Sequence, residues 1–260
     1  IPNPDTRVWH NQNCLLNQFN ITADYLTQED MNKLEYQYDE PDHMKFDKNF
    51  FNIKDNTNIN GFFQTTHYFN KFETQIKKEL RPKQEILDNA ERHISNIKQK
   101  NNGYEIVSLH LRRGDNTDSS NQNNLLNKNY GDGSELEGDS FYFKYFQNAK
   151  NKFKNKKVKF LVFTGGARTS GTTNETDIEW CKRNFTGDEY LFSEGHETMM
   201  DFSLIMSCDH NILSHISSFG WWAAYLNSNN KIVIAPKHYH PDMPEFTFRD
   251  GYFPNNFIVL

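Results

Sequence analysis

The chain has 260 residues, a formal net charge of −5 and a composition that is 15% aromatic and 24% charged. This length is enough for one large domain or two small ones with sizeable cores. The acidic balance disfavours non-specific nucleic-acid binding, which needs a basic surface. No apolar run approaches the length of a transmembrane helix. Together these features favour a globular protein over a disordered or membrane-spanning chain.

The cysteines predict neither a disulfide framework nor a metal site. There are three, Cys14, Cys181 and Cys208, so they cannot all pair with one another. Cys181 and Cys208 lie in apolar-periodic segments, and we therefore expect buried free thiols. No spacing of cysteines or histidines suggests a metal-binding motif.

The first hundred residues carry few signals. Residues 1 to about 60 are polar and rich in Asn and Asp. From Lys71 to Lys100, apolar residues recur at helical spacing on both sides of Pro82. This pattern predicts two helices that are broken at Arg81-Pro82.

The stretch from Glu105 to Asp115 is the most informative part of the chain. Four apolar residues, Ile106, Val107, Leu109 and Leu111, are followed at once by charged residues and Gly114. They predict a buried strand that stops abruptly.

Arg112 and Arg113 lie at the carboxyl end of this predicted strand. In an open α/β sheet that end faces the ligand crevice, and a guanidinium offers a planar fork of donors that suits a phosphate. An ordinary surface pair between an arginine and Asp115 is an alternative of about equal weight, since ion pairs are common at strand ends. The spacing alone leaves both open.

The rest of the chain alternates between strand and helix patterns. Residues 116–138 are polar and Gly-rich and predict a long loop, either functional or disordered. After it, Asp139-Ser140 can cap a helix. The predicted elements that follow are a strand at 158–163, helices from Asp177 and Thr198, a strand at 211–213, a helix from 217–220 and a strand at 231–235. Such alternation predicts a parallel sheet with right-handed crossovers.

The helix that begins at Ser217-Ser218-Phe219-Gly220 offers a second anion site. Small hydroxyl residues at a helix start after a strand leave backbone N–H groups exposed at the positive end of the helix dipole. A plain serine N-cap is the simpler interpretation of these residues alone. Because this helix start and the arginine-bearing strand end belong to one parallel sheet, together they support the prediction of an anion site better than either does alone.

Six segments of the chain are informative as an ordered set. They are Gly61-Phe62-Phe63-Gln64, His110-Leu111-Arg112-Arg113-Gly114-Asp115, Phe160-Leu161-Val162-Phe163, Asp177-Ile178-Glu179-Trp180-Cys181, Asp201-Phe202-Ser203-Leu204 and Ser217-Ser218-Phe219-Gly220-Trp221-Trp222. In this order they resemble the family 11 glycosyltransferases, the GDP-fucose-dependent α-1,2-fucosyltransferases. The resemblance covers most of the chain from about Gly61 onward. The chain departs from the family pattern in lacking an amino-terminal Gly-Gly-x-Gly-Asn-Gln unit and in carrying an insertion at 167–176.

The resemblance implies an α/β fold with two Rossmann-like subdomains, of the metal-independent two-domain (GT-B) type. We expect an acceptor-side subdomain at 1–100, incomplete at its amino terminus, and a nucleotide-sugar-binding subdomain at 101–240. The tail at 241–260 is expected to pack back onto a domain. We expect the cytoplasm as the default compartment. The alternative is the Golgi lumen, with an amino-terminal anchor that is missing from this sequence.

The implied activity is inverting transfer of L-fucose from GDP-L-fucose to a galactose-containing glycan, in α-1,2 linkage. A fucosyltransferase of other linkage and an inactive sugar- or nucleotide-binding module remain alternatives. No cofactor and no nucleic-acid partner are expected, and the oligomeric state is open. Because the sequence has no Asp-x-Asp pair for a metal, arginine must stabilise the departing diphosphate instead.

The resemblance implies that an arginine of this motif contacts the β-phosphate and that His110 belongs to the nucleotide site. Of the two candidates we predict Arg113 on the β-phosphate, with Arg112 either beside it or holding the strand end. Asp115 can orient an arginine or act as the general base. Further donor-binding candidates are Ser217, Ser218, Phe219 and Gly220, and Asp177 and Glu179 can replace contacts disturbed by the 167–176 insertion.

Overall fold

The computed structural model describes residues 8–9, 12–13, 15–24, 26–43, 45–114, 141–165, 176–215, 217–229, 232–237 and 251–260. Asp115, Cys14, the 116–138 loop and residues 167–175 of the insertion lie outside these residues. The chain divides into two compact units. Unit 1 comprises Ile1–Arg81 with Phe248–Asn255, and unit 2 comprises Pro82–Thr247 with Asn256–Leu260.

The boundary between the units differs from the expected one at residue 100. It follows Arg81, because the long helix after Pro82 packs on the sheet and helices of unit 2. The expected tail at 241–260 is divided between the two units. The acceptor-side and nucleotide-side roles of the two parts stay predictions.

Unit 1 contains short elements around an aromatic cluster. A two-stranded antiparallel sheet joins β1 (Val8–Trp9) and β2 (Gln12–Asn13), and a two-stranded parallel sheet joins β3 (Tyr36–Asp39) and β4 (Thr57–Asn60). The helices are α1 (Gln28–Asn32) and α2 (Glu73–Glu79). Among the residues of unit 1 that the structure describes, 3₁₀ helices span Leu16–Gln18, Lys48–Asn52, Thr66–Tyr68 and Asn70–Phe72. Tyr68 lies at the centre of the cluster, edge-on to Phe46, Phe50 and Phe63.

Unit 2 is built from longer elements in the predicted alternation. Its helices are α3 (Gln84–Lys100), α4 (Phe141–Asn151), α5 (Asp177–Asn184), α6 (Thr198–Ser207) and α7 (Ser218–Leu226). Its strands are β5 (Glu105–Arg112), β6 (Val158–Gly165), β7 (Tyr190–Phe192), β8 (His210–Ile212), β9 (Val233–Ala235) and β10 (Ile258–Val259).

The six strands of unit 2 form one parallel sheet in the order β10-β9-β8-β5-β6-β7. The chain starts in the middle at β5, moves outward through β6 and β7, and then returns to β8 on the other side of β5. This is the Rossmann strand order, so the predicted α/β class with a Rossmann-like parallel sheet is confirmed. The described part of unit 1 holds only the two small sheets, and a second Rossmann-like subdomain stays a prediction.

Both faces of the sheet are covered by helices. On one face, Val107, Leu109 and Leu111 of β5 pack with buried aromatic residues of α4 and α5. On the other face, α3 packs against α6, and α6 packs against α7. Because successive strand residues point to opposite faces, Ser108, His110 and Arg112 lie on the side of α3, α6 and α7. Cys181 and Cys208 are buried free thiols, as predicted. No helix within the described residues is long and apolar enough to span a bilayer.

Candidate functional site

The carboxyl ends of β5 and β8 meet at the point where the strand order of the sheet reverses. The two strands are paired in register from Val107 with His210 to Leu109 with Ile212. The connections that leave these two strands run to opposite sides, which opens a crevice outside their carboxyl ends. The predicted motif residues His110 to Gly114 and the start of α7 both lie at this crevice.

Arg112 lies on the face that β5 shares with α7. Its backbone N–H donates to Ser214 Oγ at 2.8 Å, just beyond the end of β8. Its Nη1 donates to the carbonyl oxygen of Gly165 at 3.1 Å, at the end of β6. The Arg112 side chain is partly buried, so the ends of three neighbouring strands fix its position.

Arg113 lies on the opposite face and is enclosed. Its Nε donates to Asp177 Oδ1 at 3.2 Å, and its guanidinium carbon lies 3.7 Å from the centre of the Trp180 ring. The backbone N–H of Gly114 donates to the second oxygen of Asp177 at 3.1 Å. The side chains of Arg113 and Asp177 are only 9% and 10% exposed, so this is a buried, charge-assisted pair with a cation–π contact.

The two arginines therefore lie on opposite faces of β5, and which of them contacts a phosphate stays a prediction. Arg113, expected on the β-phosphate, pairs with a carboxylate at the strand end, and Arg112 lies on the side of the α7 helix start. The sequence predicted that neighbouring residues face opposite ways but could not tell which one faces α7.

His110 lies directly against the start of α7. A methyl group on Gly220 would lie 2.5 Å from His110 Nδ1, so only glycine permits this approach. Burial, together with the nearby Arg112 charge, lowers the pKa of His110 to about 3, and the imidazole is neutral at physiological pH. Its Nδ1 is buried and has no hydrogen-bond partner within the described residues. The Phe219 ring, 5.8 Å away, forms the adjacent wall.

The start of α7 has the geometry of a helix N-terminus with a serine cap. Ser217 is the N-cap, and its Oγ accepts a hydrogen bond from the Gly220 N–H at 3.4 Å. Ser218 is exposed in the first turn. The backbone N–H groups of this turn and the helix dipole give the crevice a positive electrostatic potential, which suits an anion.

Asp177 and Glu179 hold α5 in place. Asp177 receives both Arg113 and the Gly114 N–H, as described above. Glu179 forms a capping box with Thr176, accepting its N–H at 2.8 Å, and these hydrogen bonds lower the pKa of Glu179. The geometry favours structural roles for both carboxylates, and their roles as donor contacts stay predictions.

Three residues at this edge of the sheet were not assigned a role from the sequence. Ser214 accepts the Arg112 N–H, and Trp180 stacks on Arg113. Asp201 accepts a hydrogen bond from Ser193 Oγ at 2.7 Å, and burial raises the pKa of this carboxyl group. Asp201 and Trp180 both belong to the segments that carried the resemblance, and that is the only signal that could have drawn attention to them.

The sequence was compared with models of known protein families. The model of glycosyl transferase family 11 matches residues 3–256 of the chain. The chain belongs to glycosyltransferase family 11. The predicted resemblance is thus confirmed over nearly the whole chain.

Individual relatives of this family 11 chain are distant. An α-1,2-colitosyltransferase of Escherichia coli is 28% identical over 71% of this chain and 56% of its own length. Galactoside α-(1,2)-fucosyltransferase 1 of Sus scrofa is 26% identical over 68% of this chain and 45% of its own length. The human enzyme of the same name gives the same figures. The chain spans about half the length of these curated relatives, and no solved structure gives a significant match.

Proposed function

We propose that this protein transfers L-fucose from GDP-L-fucose to a hydroxyl group of a galactoside, with inversion and in α-1,2 linkage. The observation that carries the proposal is the contact of His110 with Gly220 at the start of α7, beside the Arg112 end of β5, at the crevice of a Rossmann-ordered sheet. Family membership supports the reaction class, and the names of the relatives support the sugar and the linkage.

The departing GDP is the part of the reaction that these residues suit best. As the bond between fucose and the β-phosphate breaks, negative charge grows on the phosphate oxygens. Arg112 provides a permanent positive charge, and the first turn of α7 provides fixed N–H groups. Preorganised donors of this kind lower the barrier because they need no reorganisation during the reaction. We therefore assign the phosphate contact to Arg112 and the support of the strand end to Arg113.

The neutral His110 and the Phe219 ring are assigned to nucleotide binding. A neutral imidazole can donate from one ring nitrogen and accept at the other, which matches the mixed donors and acceptors of a nucleoside. The acceptor hydroxyl attacks the anomeric carbon while a base removes its proton, and the bond from that carbon to the β-phosphate oxygen breaks. Asp115 stays the candidate base on sequence grounds.

A second donor sugar is favoured by one observation. The relative from Escherichia coli is named an α-1,2-colitosyltransferase and is 28% identical to this chain. A colitosyl donor is therefore the alternative substrate, with the same linkage and the same phosphate chemistry.

The test incubates the purified protein with GDP-L-fucose or a colitosyl donor and a panel of galactosides, and then assigns the linkage by NMR. We expect α-1,2-fucosylated galactosides and activity that persists in EDTA. Transfer of fucose in another linkage would support the donor and the reaction type but contradict the α-1,2 linkage. Full loss of activity in EDTA that manganese restores would contradict the arginine mechanism. Transfer that stays undetectable with every donor would favour an inactive binding module.

A further inference from the structure

Lysines are concentrated in one short segment of unit 2. Residues 150–159, here called the lysine turn, contain six lysines and no acidic residue. Since the whole chain carries a formal net charge of −5, the remainder carries −11. The lysine turn is therefore a local patch whose sign is opposite to that of the rest of the molecule.

The lysine turn is a fixed structure that joins the end of α4 to the start of β6. Successive backbone hydrogen bonds close it, from Phe153 N to Lys150 O at 2.8 Å and from Lys156 N to Phe153 O at 2.8 Å. Phe153, 2% exposed, anchors the turn in the core, and Val158 begins β6. The lysine charges are thus held on a rigid surface.

The six lysines fall into two groups. Lys150 pairs with Glu189 and Lys156 pairs with Glu105, both at 3.2 Å, and Lys159 donates to a backbone carbonyl. The second group consists of Lys152, Lys154 and Lys157. All three side chains are exposed, and none has an ion-pair partner within the described part of the chain.

An open depression of ≈ 660 Å³ lies beside the second group. Its lining consists of Asn148, Asn151, Lys152, Lys154, Asn155 and Leu260, whose carbon atoms provide more of the lining surface than their nitrogen and oxygen atoms do. Asparagine amides and lysine ammonium groups are hydrogen-bond donors that suit phosphate oxygens. The depression and the charge pattern are separate observations that indicate the same chemistry of ligand.

The lysine turn lies at the amino edge of the sheet, whereas the candidate site lies at the carboxyl edge. The intervening strand β6 has eight residues, so the two edges are roughly 25 Å apart. This exceeds the electrostatic screening length of about 8 Å at physiological ionic strength. A large surface could therefore contact the lysine turn and leave the candidate site open.

We propose that the lysine turn docks this protein on a membrane surface of anionic phospholipids. Exposed basic clusters of this size are attracted to anionic leaflets, and each lysine contributes roughly fivefold to partitioning. The depression would receive individual phosphodiester head groups between Lys152 and Lys154. This docking is independent of the fucosyltransferase proposal.

A single-stranded nucleic acid fits the lysine turn less well. Proteins that bind such strands combine basic grooves with exposed aromatic rings on which the bases stack. Phe153 is the aromatic residue of this segment, and it is buried. The surface thus provides phosphate contacts without a platform for bases.

The test measures co-sedimentation of the full chain with phosphatidylcholine vesicles that contain or lack phosphatidylglycerol. We expect binding to the anionic vesicles at low salt and its loss at high salt. Replacing all three unpaired lysines (K152E, K154E and K157E) should reduce partitioning by roughly 100-fold or more. The matched control carries K48E, K78E and K83E, which make the same charge change at exposed lysines elsewhere, and it should bind almost normally.

Three outcomes would overturn the proposal. The first is equal binding by the two triple variants, which would show that net charge alone matters. The second is displacement from vesicles by millimolar inorganic phosphate, which would identify a site for free phosphate. The third is tighter binding to a single-stranded oligonucleotide than to anionic vesicles. Circular dichroism melting of both variants verifies that each is folded, and the milder Asn148→Asp variant should weaken binding in the same direction.

Discussion

The two sides of the β5 strand end carry the same kind of residue in opposite environments. Arg113 is enclosed between a carboxylate and an indole ring, so its charge is compensated within the protein. On the other face, the Arg112 N–H donates to Ser214 Oγ, its guanidinium donates to the carbonyl oxygen of Gly165, and the neighbouring His110 on that face packs against Gly220 of α7. The difference shows that adjacent arginines in one motif can lie on opposite faces of a strand with different partners, and a division into supporting and binding residues is what we propose.

The largest expected effect concerns the enclosed side. Replacing Asp177 by Ala leaves the Arg113 guanidinium buried without its carboxylate, which should lower the free energy of unfolding by about 3–5 kcal/mol. Urea denaturation at pH 7 measures this change. The control is Glu179→Ala on the same helix turn, which removes an exposed capping carboxylate and should lower stability much less than Asp177→Ala does.

Arg113→Met in the Asp177→Ala background sharpens this test. It removes the uncompensated charge and keeps a side chain that can pack on Trp180, so part of the lost stability should return. An Asp177→Ala variant no less stable than Glu179→Ala would show that the buried pair does not support the strand end.

The second effect concerns the side of Arg112 and rests on the proposed transfer reaction. Arg112→Ala removes a preorganised charge that acts on the departing diphosphate, so kcat with GDP-L-fucose should fall roughly 100-fold or more. Arg112→Lys keeps the charge but loses the planar fork and should recover only part of the rate. Initial-rate kinetics and melting temperatures of the same samples separate turnover from stability.

Arg113→Ala is the matched comparison for this prediction. It should lower the melting temperature more than Arg112→Ala does, and it should affect turnover less at a temperature where both variants are folded. The opposite ranking of kcat values would return the phosphate contact to Arg113, as the sequence analysis expected.

The smallest of these effects is a pH dependence of stability that comes from His110. Its pKa falls from 6.5 to about 3 on folding, so between these values the unfolded chain binds more protons. The stability from its neutral form is therefore complete above pH 6.5 and is lost as the pH falls towards 3. From pH 7 to pH 5 the loss should be about 2 kcal/mol.

Denaturation curves at the two pH values for the original chain and for His110→Gln test this prediction. The variant should lose less stability on acidification. The lowered pKa values of His93 and His210 act in the same direction and remain in both proteins, so they cancel in the comparison. Identical acid sensitivity in the two proteins would mean that His110 is not held neutral by burial.

Most elements of unit 2 could be predicted because their signals are local. The apolar run at 106–111 and the break at Pro82 both appear in the structure close to the predicted positions. Strands β7 and β10 were missed, since they have three and two residues and show no alternation of their own. They are strands only because β6 and β9 offer free edges for pairing. The boundary between the compact units after Arg81 depends in the same way on tertiary packing, here that of α3.

The sequence by itself determined the family motif, the Rossmann-like alternation and the position of both arginines at a strand end. These properties depend on residue type and spacing along the chain, which the sequence contains. Only the tertiary structure decided which arginine faces the helix start and which is enclosed. That choice depends on which helices cover each face of β5, and the order in which the chain crosses the sheet fixes it. Asp177, 64 residues beyond Arg113, becomes its partner only through that crossing.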